Sequence, residues 1–296
     1  MKMHDAAIIG AGPAGIAAAV QLQRYSLDFL LLERGEVGGL LRNANWVENY
    51  PGFPRGISGL SLVQRMREHI QAAGIETVQA EVTSLAYQEG AFHLSTSVGE
   101  LRARALVIAS GTKPKLFTDL DFPAALCSRV FYEVYPLADA TQRRIAIVGA
   151  GDVAFDYALN LAWRNQIIIL NRGERPSCLP LLWEYASQSP SIAYFASTHL
   201  LRLVELPSGE LLLECAGPDG GVQFKADLLI GALGREPQHD FIPAEFRSIA
   251  GELESRGLLY WIGDVKNGIE RQTAIAVGDG VQAAMKIYRR LKDTSL

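Results

Sequence analysis

Apolar and polar residues alternate along this chain in a way that predicts two strand–helix–strand units. Apolar runs of strand length at 6–9 and 145–148 are each followed by a glycine-rich turn and then by a stretch long enough for a helix. A second apolar run closes each unit, and both closing runs lead into nearly the same polar segment. These segments are Glu33-Arg-Gly-Glu36 in the first unit and Asn171-Arg-Gly-Glu174 in the second. We interpret the two stretches as an internal repeat of one βαβ unit.

The same patterns predict further elements outside the repeat. Apolar residues at helical spacing indicate helices, whereas alternation and short apolar runs indicate strands. The predicted helices cover 58–73 and about 273–291, and the predicted strands lie within 77–98, 105–112, 226–234 and 258–264. The last stretch of the chain has no counterpart in the repeat, so we assign it to the first domain.

This order of elements predicts an α/β fold with two Rossmann-like dinucleotide-binding domains, of the three-layer ββα type. The second domain, residues 114–235, is expected to be inserted into the first, which would consist of residues 1–113 and 236–296. Strands that alternate with helices are typical of parallel sheets covered by helices.

The two glycine-rich turns carry the candidate chemistry. Each follows a strand and opens a helix, which is the context in which such a turn binds a dinucleotide. Its small residues permit a tight turn, a close approach of the backbone to a pyrophosphate, and close packing of helix on strand. The helix N-terminus then faces the phosphates. The positions concerned are Gly10, Gly12 and Gly15 in the first turn and Gly149, Gly151 and Ala154 in the second. Two copies predict two dinucleotides.

The residue at the end of the second strand differs between the copies. Glu33 follows Gly15 at the spacing of an acid that accepts hydrogen bonds from ribose hydroxyls, which predicts an adenosine ribose without a 2′-phosphate. In the second copy this residue is Asn171, and Arg172 and Arg175 follow. Loss of the acid removes repulsion toward a 2′-phosphate and favours NADP over NAD. The alternative is that both arginines are solvated surface charges.

Taken together, these motifs resemble the low-molecular-weight thioredoxin-reductase-like flavoproteins over nearly the whole chain. The segments that carry the resemblance are the first turn with Glu33, Gly38-Gly39, Val47–Gly52, Ile108–Gly111, Gly263–Val265 and Arg271–Ala276. The resemblance implies an FAD-binding domain at 1–113 and 236–296, an NAD(P)-binding domain at 114–235, a homodimer, and a rotation between the domains during the reaction cycle.

The resemblance also implies roles for individual residues. Asp264 would bind the ribityl or pyrophosphate side of FAD, Asn49 would lie near the isoalloxazine ring, and residues 271–273 would line its pyrimidine end. The FAD-binding residues predicted from turn and resemblance are Gly10, Gly12, Pro13, Ala14, Gly15, Glu33, Arg34, Gly39, Leu40, Asn49, Gly111, Gly263, Asp264, Arg271, Gln272 and Thr273. The predicted NAD(P)-binding residues are Gly149, Gly151, Asp152, Ala154, Asn171, Arg172 and Arg175.

The chain departs from this family at the redox centre. Tyr132 and Tyr135 stand where the reductases carry the two cysteines of a CxxC motif. A tyrosine cannot form a mixed disulfide, so thiol exchange at this position is excluded. We predict instead that Tyr132 or Tyr135 lies against the flavin ring. Leu40 also replaces the glutamine of a Gly-Gly-Gln motif, and Asn171-Arg-Gly173 replaces His-Arg-Arg.

Composition adds few constraints. The length of 296 residues suits two domains, and 49% apolar with 20% charged residues is ordinary for globular proteins. A net charge of -4 favours neither nucleic acid nor an anionic membrane as a partner. Glycines and Pro13 interrupt the first apolar run, which argues against an export signal. Since the three cysteines form no CxxC pair and the five histidines are scattered, we predict no metal and a cytoplasmic location.

Three functions are compatible with these observations. The first is an FAD-dependent oxidoreductase that takes hydride from NAD(P)H and passes electrons to a non-dithiol acceptor, such as a ferredoxin- or flavodoxin-like protein or a small molecule. The second is a disulfide reductase that works without its own CxxC, with electrons from NADPH or another protein. The third is a non-catalytic flavin or nucleotide sensor, motivated by the altered motifs at Leu40 and Asn171.

Overall fold

The structure is a computed structural model that describes residues 2–120 and 122–293. Residue 1, residue 121 and residues 294–296 of the predicted domains lie outside the described residues. The chain forms two compact units. Unit 1 comprises Met1–Arg42, Val47–Lys113 and Glu236–Leu296, and unit 2 comprises Asn43–Trp46 and Pro114–Arg235.

Helices are interspersed with runs of consecutive strands along the described chain. The strands are β1 (Met3–Ile9), β2 (Phe29–Glu33), β3 (Thr77–Gln79), β4 (Val82–Gln88), β5 (Ala91–Thr96), β6 (Gly99–Ile108), β7 (Thr112–Pro114), β8 (Val130–Phe131), β9 (Arg144–Val148), β10 (Gln166–Leu170), β11 (Ile192–Phe195), β12 (His199–Glu205), β13 (Leu211–Gly217), β14 (Gly220–Ala226), β15 (Leu228–Gly231), β16 (Arg235–Pro237) and β17 (Leu259–Trp261). The helices are α1 (Pro13–Arg24), α2 (Gly59–Ala72), α3 (Asp152–Ala162), α4 (Pro180–Gln188), α5 (Ala244–Ser255) and α6 (Thr273–Asp293).

Unit 1 is built around a sheet in which β6 pairs with three neighbours. Strands β3, β2, β1 and β6 follow one another in parallel, and β17 pairs in parallel with the second half of β6. The first half of β6 pairs with β5 in an antiparallel meander that continues to β4. Because β6 is long enough to serve both arrangements, the parallel sheet and the meander share one strand. This is the predicted three-layer ββα arrangement.

Helices α1 and α6 pack together on one face of this sheet through small residues. A Cβ atom at Gly280 of α6 would collide with the carbonyl oxygen of Ala14 and lie 2.9 Å from the backbone nitrogen of Ala18. Ala283 and Ala284, one turn further along α6, are fully buried in the same core. Such close approach requires residues without bulky side chains, since protein interiors leave few voids to absorb them.

Unit 2 contains the second βαβ unit. Its sheet has the order β11-β10-β9-β15-β8, and all of its strand pairs are parallel. Helix α3 contributes Ala154, Phe155 and Ala158 to the core on one face of this sheet. An antiparallel sheet of β12, β13 and β14 supplies a second core with Leu203 and Leu213.

The predicted elements are confirmed with small shifts at their ends. The helix predicted at 58–73 is α2, whose N-cap Ser58 accepts a hydrogen bond from the Ser61 N–H at 3.2 Å. The strand predicted at 105–112 begins earlier, at Gly99, and ends at Ile108. Helix α5 was not predicted, although its buried Phe246, Ala250 and Leu253 have helical spacing.

Candidate functional site

The first glycine turn depends on the absence of side chains at its ends. Gly10 has a φ of +104°, and a Cβ atom there would lie 2.5 Å from the carbonyl oxygen of Ala109. A Cβ atom at Gly15 would collide with the carbonyl oxygen of Gly10. At Gly12 the nearest atom to such a Cβ is Cα of Gly39, 3.9 Å away. The turn is therefore tightly packed at Gly10 and Gly15 but open at Gly12. This open side is what the approach of a pyrophosphate to the backbone requires.

Helix α1 begins immediately after this opening. Gly12 is its N-cap, Pro13 occupies the first position, and within the described residues no side chain caps the helix. The amide groups of the first turn thus point away from the helix without a side-chain acceptor. An anion is the group that such a helix start binds best, because the helix dipole and the N–H groups act together.

Glu33 at the end of β2 is held in place by two backbone groups. Its Oε2 accepts a hydrogen bond from the N–H of Ala11 at 2.8 Å, and its Oε1 accepts one from the N–H of Gly35 at 2.8 Å. Each carboxylate oxygen can accept a further hydrogen bond. The carboxylate therefore lies beside the glycine turn, fixed in orientation and able to receive two ribose hydroxyls.

A second turn of unit 1 lies against the start of α1. A Cβ atom at Gly263, which has a φ of +71°, would lie 2.9 Å from Cβ of Ala14. Asp279 of α6 holds this turn, because its Oδ2 accepts hydrogen bonds from the Gly263 N–H at 3.0 Å and from Asn267 Nδ2 at 2.8 Å. The predicted residues Gly263 and Asp264 are thereby brought next to the first glycine turn.

Four further predicted residues of unit 1 have different surroundings. Asn49 Nδ2 donates to Oε1 of Gln272 at 2.7 Å, which brings these two predicted positions together. Arg271 carries a buried Nε for which the described part of the chain supplies no hydrogen-bond partner. Arg34, by contrast, lies 3.5 Å from Glu81 in an exposed ion pair.

The remaining predicted positions of unit 1 are Gly39, Leu40, Gly111 and Thr273. Gly39, with a φ of +55°, lies close to Gly12, since a Cβ atom there would be 3.1 Å from Gly12 Cα. Leu40 is half-buried in the short helical turn that follows. Gly111 has a φ of +66° and accepts a hydrogen bond from the Gln238 N–H at 3.0 Å, and Thr273 begins α6.

The second glycine turn repeats the geometry of the first. Gly149 has a φ of +132°, and a Cβ atom there would collide with the carbonyl oxygen of Ala232. Gly151 is the N-cap of α3 and has open space beside it up to Ser177 Oγ, 3.8 Å from the position of a Cβ atom. Ala154 is fully buried at the third small-residue position.

The loop after β10 is tied to this second turn. The carbonyl oxygen of Ala150 accepts hydrogen bonds from both the N–H and the Oγ of Ser177, at 2.8 and 3.2 Å. The side chain of Asp152, the first residue of α3, accepts one from the Leu179 N–H at 2.7 Å. Arg172 and Arg175 are exposed on this loop, and within residues 2–120 and 122–293 no ion pair is formed by either. The side chain of Asn171 is buried, with 8% of its surface exposed.

The crossover segment carries Tyr132 and Tyr135, the two tyrosines that we predict to occupy the cysteine positions of the family. Tyr132 Oη accepts a hydrogen bond from the Phe117 N–H at 3.2 Å, and its ring lies 5.7 Å from that of Phe117. The ring also covers Gly231, where a Cβ atom would lie 2.8 Å from it. The backbone N–H of Tyr135 donates to Oδ1 of Asn43 at 2.9 Å. Tyr132 is thus anchored inside unit 2 by packing as well as by its hydroxyl.

All three cysteines lie in the described part of the chain, and all are free thiols. Cys127 is exposed, Cys178 is partly buried and Cys215 is buried. Burial raises the pKa of Cys215 to about 11 and also raises the pKa of Cys178. A raised pKa reduces the thiolate fraction at neutral pH, which makes these two thiols poor nucleophiles.

Asp156 of α3 is a partly buried carboxylate with a raised pKa. It accepts hydrogen bonds from the backbone N–H groups of Asn45 and Trp46, the former at 2.9 Å, yet burial raises its pKa to about 6. An acid whose pKa is higher in the folded chain binds protons more readily when folded. Its contribution to stability therefore grows as the pH falls through 6 toward the ordinary value of 3.8.

This carboxylate predicts a pH dependence of unfolding. Between pH 7.5 and pH 5 the titration of Asp156 should add about 1.4 kcal/mol to the free energy of unfolding. Asp156→Asn should remove that increment, because its amide does not titrate in this range. Urea unfolding of both proteins at the two pH values measures it, and an identical pH dependence in both would contradict the assignment.

Some supporting residues were missed by sequence reasoning. Asp279 and Ser177 hold the two turns next to the glycine turns, and Tyr194 supports the loop after β10. The sequence did contain a signal near Asp279, because Gly278 and Gly280 flank it within a helix. Glycine is normally unfavourable there, so two of them indicate a special packing requirement.

The chain contains two copies of a βαβ unit with an open glycine turn, and an acid ends the second strand of the first copy. This arrangement is typical of dinucleotide-binding proteins of the α/β class. The profile of the pyridine nucleotide-disulphide oxidoreductases matches residues 4–280. The chain belongs to this family. It is accordingly a flavoprotein oxidoreductase, similar to thioredoxin reductases, and its cofactors are FAD and a nicotinamide dinucleotide.

Individual relatives are distant in sequence. NADPH-dependent thioredoxin reductase 3 of Arabidopsis thaliana is 25% identical over 325 residues, which cover 99% of this chain but only 59% of that protein. The crystal structure of Lactococcus lactis thioredoxin reductase in its FR conformation has a TM-score of 0.84 at 25% identity, over 98% of this chain and 99% of that one. Bacillithiol disulfide reductase Bdr of Bacillus cereus has a TM-score of 0.77 at 18% identity, over 98% and 100% of the two chains, and shows the same fold.

The residues of unit 1 fit FAD. The open space at Gly12 suits a pyrophosphate, and the oriented Glu33 carboxylate suits a ribose. The buried Nε of Arg271 is a donor suited to a hydrogen-bond acceptor of the cofactor.

Of the described helices, none is both long and apolar enough to cross a membrane.

Glu33 offers a direct test of this fit. Glu33→Ala should weaken FAD retention by about 1.5–3 kcal/mol, the usual value of a hydrogen bond to a charged group. Equilibrium dialysis against FAD measures the loss, with Glu81→Ala, an exposed acid outside the turn, as the control. Retention as strong as in the unaltered protein would show that Glu33 does not contact the ribose.

Proposed function

We propose that this chain is a reductase that takes hydride from NADPH at unit 2 and delivers electrons to an acceptor other than a dithiol of its own. Unit 1 would be the FAD-binding domain and unit 2 the NADP-binding domain. FAD, when bound, supplies the two-electron step between nicotinamide and acceptor. A small redox protein of the ferredoxin or flavodoxin type, or a small molecule, would receive the electrons. We further propose a cytoplasmic homodimer.

The observation that carries this proposal is the crossover segment. Tyr132 fills the space above Gly231 and is bonded to the Phe117 N–H, so the segment is a packed aromatic structure and not an altered dithiol loop. Its acid, Glu133, is also engaged, with Oε1 accepting from Arg235 at 3.0 Å and Oε2 from Asn43 Nδ2 at 3.1 Å. We propose Tyr132 and Tyr135 as the residues on the flavin's acceptor side, where an aromatic ring can stack.

The two glycine turns support different dinucleotides. In unit 1, Glu33 would accept hydrogen bonds from the ribose hydroxyls of FAD and would repel a 2′-phosphate. In unit 2 the corresponding position is uncharged, and the exposed Arg172 and Arg175 are close in sequence to it. We therefore assign Gly149, Gly151, Asp152, Ala154 and the loop after β10 to NADPH.

Anaerobic titration with NADPH and NADH tests the donor. Both should bleach the flavin, NADPH at lower concentration. Arg172→Ala should raise the Michaelis constant for NADPH about tenfold and leave that for NADH little changed, because only NADPH carries the 2′-phosphate. Arg202→Ala, an exposed arginine of β12, is the matched control. An equal effect on both cofactors would place Arg172 outside the 2′-phosphate site, and no bleaching by either would contradict hydride transfer from a nicotinamide.

A second candidate is reduction of an external low-molecular-weight disulfide. The similarity in fold to bacillithiol disulfide reductase Bdr favours it. Bacillithiol disulfide, glutathione disulfide, ferredoxin and flavodoxin, offered in turn with NADPH, separate the two candidates. Turnover with a disulfide alone would replace the first proposal by the second.

A further inference from the structure

The two copies of the repeat use the residue at the end of the second strand in different ways. In unit 1 the carboxylate of Glu33 reaches the N–H of Ala11 in the glycine turn. In unit 2 the side chain of Asn171 turns into its own loop, where its Oδ1 accepts a hydrogen bond from the Gly173 N–H at 2.9 Å. The side chain at the strand end therefore faces the proposed ligand site in unit 1, whereas in unit 2 it supports the loop after β10.

Both donor hydrogens of the Asn171 amide are used inside the protein. Its Nδ2 donates to the carbonyl oxygen of Arg175 at 2.9 Å and to Tyr194 Oη at 2.8 Å. The backbone of Asn171 is paired as well, since its N–H donates to Phe195 and its carbonyl oxygen accepts from Thr198. A buried amide with these partners has one favourable orientation, because another would leave polar groups unbonded.

Tyr194 connects this amide to the neighbouring helices. Its ring packs edge-on against Trp183 of α4, with ring centroids 5.1 Å apart, and lies 6.0 Å from the ring of Phe155 of α3. Helix α3 begins at the second glycine turn. The hydrogen bond from Asn171 to Tyr194 therefore links the turn from Arg172 to Arg175 to the helix that opens the nucleotide site.

We propose that Asn171 and Tyr194 are positioning residues that fix the Arg172–Arg175 turn for recognition of the 2′-phosphate. This inference rests on the proposed function, in which unit 2 binds NADPH. Arg172 follows Asn171 directly, and the carbonyl of Arg175 is bonded to the Asn171 amide, so both cations belong to the turn that the amide holds. A turn fixed before binding loses less conformational freedom when the ligand arrives, which strengthens binding without an added contact.

The test compares the adenosine halves of the two nicotinamide cofactors. Binding of 2′,5′-ADP and of 5′-AMP to the FAD-loaded protein is measured by calorimetry. Asn171→Leu keeps the approximate size of the side chain, removes its hydrogen bonds and adds no charge, and Tyr194→Phe removes only the hydroxyl. Each should weaken 2′,5′-ADP about tenfold and leave 5′-AMP within about twofold, the effect of one lost hydrogen bond. Tyr185→Phe, an exposed tyrosine of α4, should change neither.

Three results would overturn the inference, and they are distinguishable. If Arg172→Ala weakens 2′,5′-ADP but Asn171→Leu and Tyr194→Phe do not, the NADPH site stands and the positioning role fails. If both ligands weaken equally, the pair has a general structural role. If Asn171→Leu weakens 5′-AMP and Tyr194→Phe does not, Asn171 contacts the ribose directly. A wild type that does not prefer 2′,5′-ADP, with no effect of Arg172→Ala, would overturn the proposed function itself.

Discussion

Gly280→Ala should abolish FAD retention and lower the free energy of unfolding by about 3 kcal/mol, whereas Gly278→Ala should retain FAD and cause no loss of stability. The two glycines lie in the same helix, two residues apart. A Cβ atom at Gly280 would collide with the carbonyl oxygen of Ala14, while at Gly278 it would meet nothing within 4 Å. The collision would force α6 away from the start of α1, where the phosphates of FAD are proposed to bind.

Urea unfolding and the flavin content after gel filtration measure the two effects. Gly278→Ala is expected to stabilise the protein by about 0.5–1 kcal/mol, because alanine is the better residue in an exposed helix. If both variants lost flavin, the collision at Gly280 would not explain the loss, because a Cβ atom at Gly278 meets nothing within 4 Å. Retention of flavin by Gly280→Ala would show that the contact between α6 and α1 tolerates a shift.

NADPH-dependent reduction of thioredoxin should be at least about 1,000-fold slower than that by a CxxC-containing reductase, such as the Lactococcus lactis enzyme. The sequence has no CxxC pair, and burial raises the pKa values of Cys178 and Cys215. Thiol exchange therefore lacks both its nucleophile and its resolving partner.

The insulin-coupled thioredoxin assay measures this activity. Ferricyanide reduction by the same sample shows that the flavin accepts electrons from NADPH, so that absence of thioredoxin turnover is informative. Cys127→Ser should leave the result unchanged, because the exposed Cys127 has no predicted role. Robust thioredoxin reduction that persists in Cys127→Ser would contradict the proposed acceptor class.

The repeat is the part of this structure that the sequence predicts best. Small residues at fixed spacing after an apolar run favour one local backbone conformation. The structure has this tight turn at Gly10 and again at Gly149. Glu33 is similar, because its partners Ala11 and Gly35 are set by the same turn. Patterns of this kind are local, so they are visible without knowledge of the tertiary fold.

Side-chain direction at the second strand end could not be predicted in the same way. Alignment of the copies placed Asn171 at the ribose position, but a shorter side chain and a hydroxyl from Tyr194 decide where it points. Tyr194 belongs to β11, a strand whose position depends on the whole sheet. The same applies to Asp279, whose partner Gly263 comes from a distant turn.

The packing of α6 on α1 also sets an order for folding during synthesis. Residues 114–235 contain the whole sheet of unit 2, so that unit can close while the chain is still attached to the ribosome. Unit 1 begins earlier but cannot be completed first, because β17 and α6 follow unit 2 along the chain. Until then the apolar face of α1 around Ala18 remains uncovered. The nascent chain can therefore complete unit 2 before unit 1, and helix α1 stays partly uncovered until α6 has been synthesised.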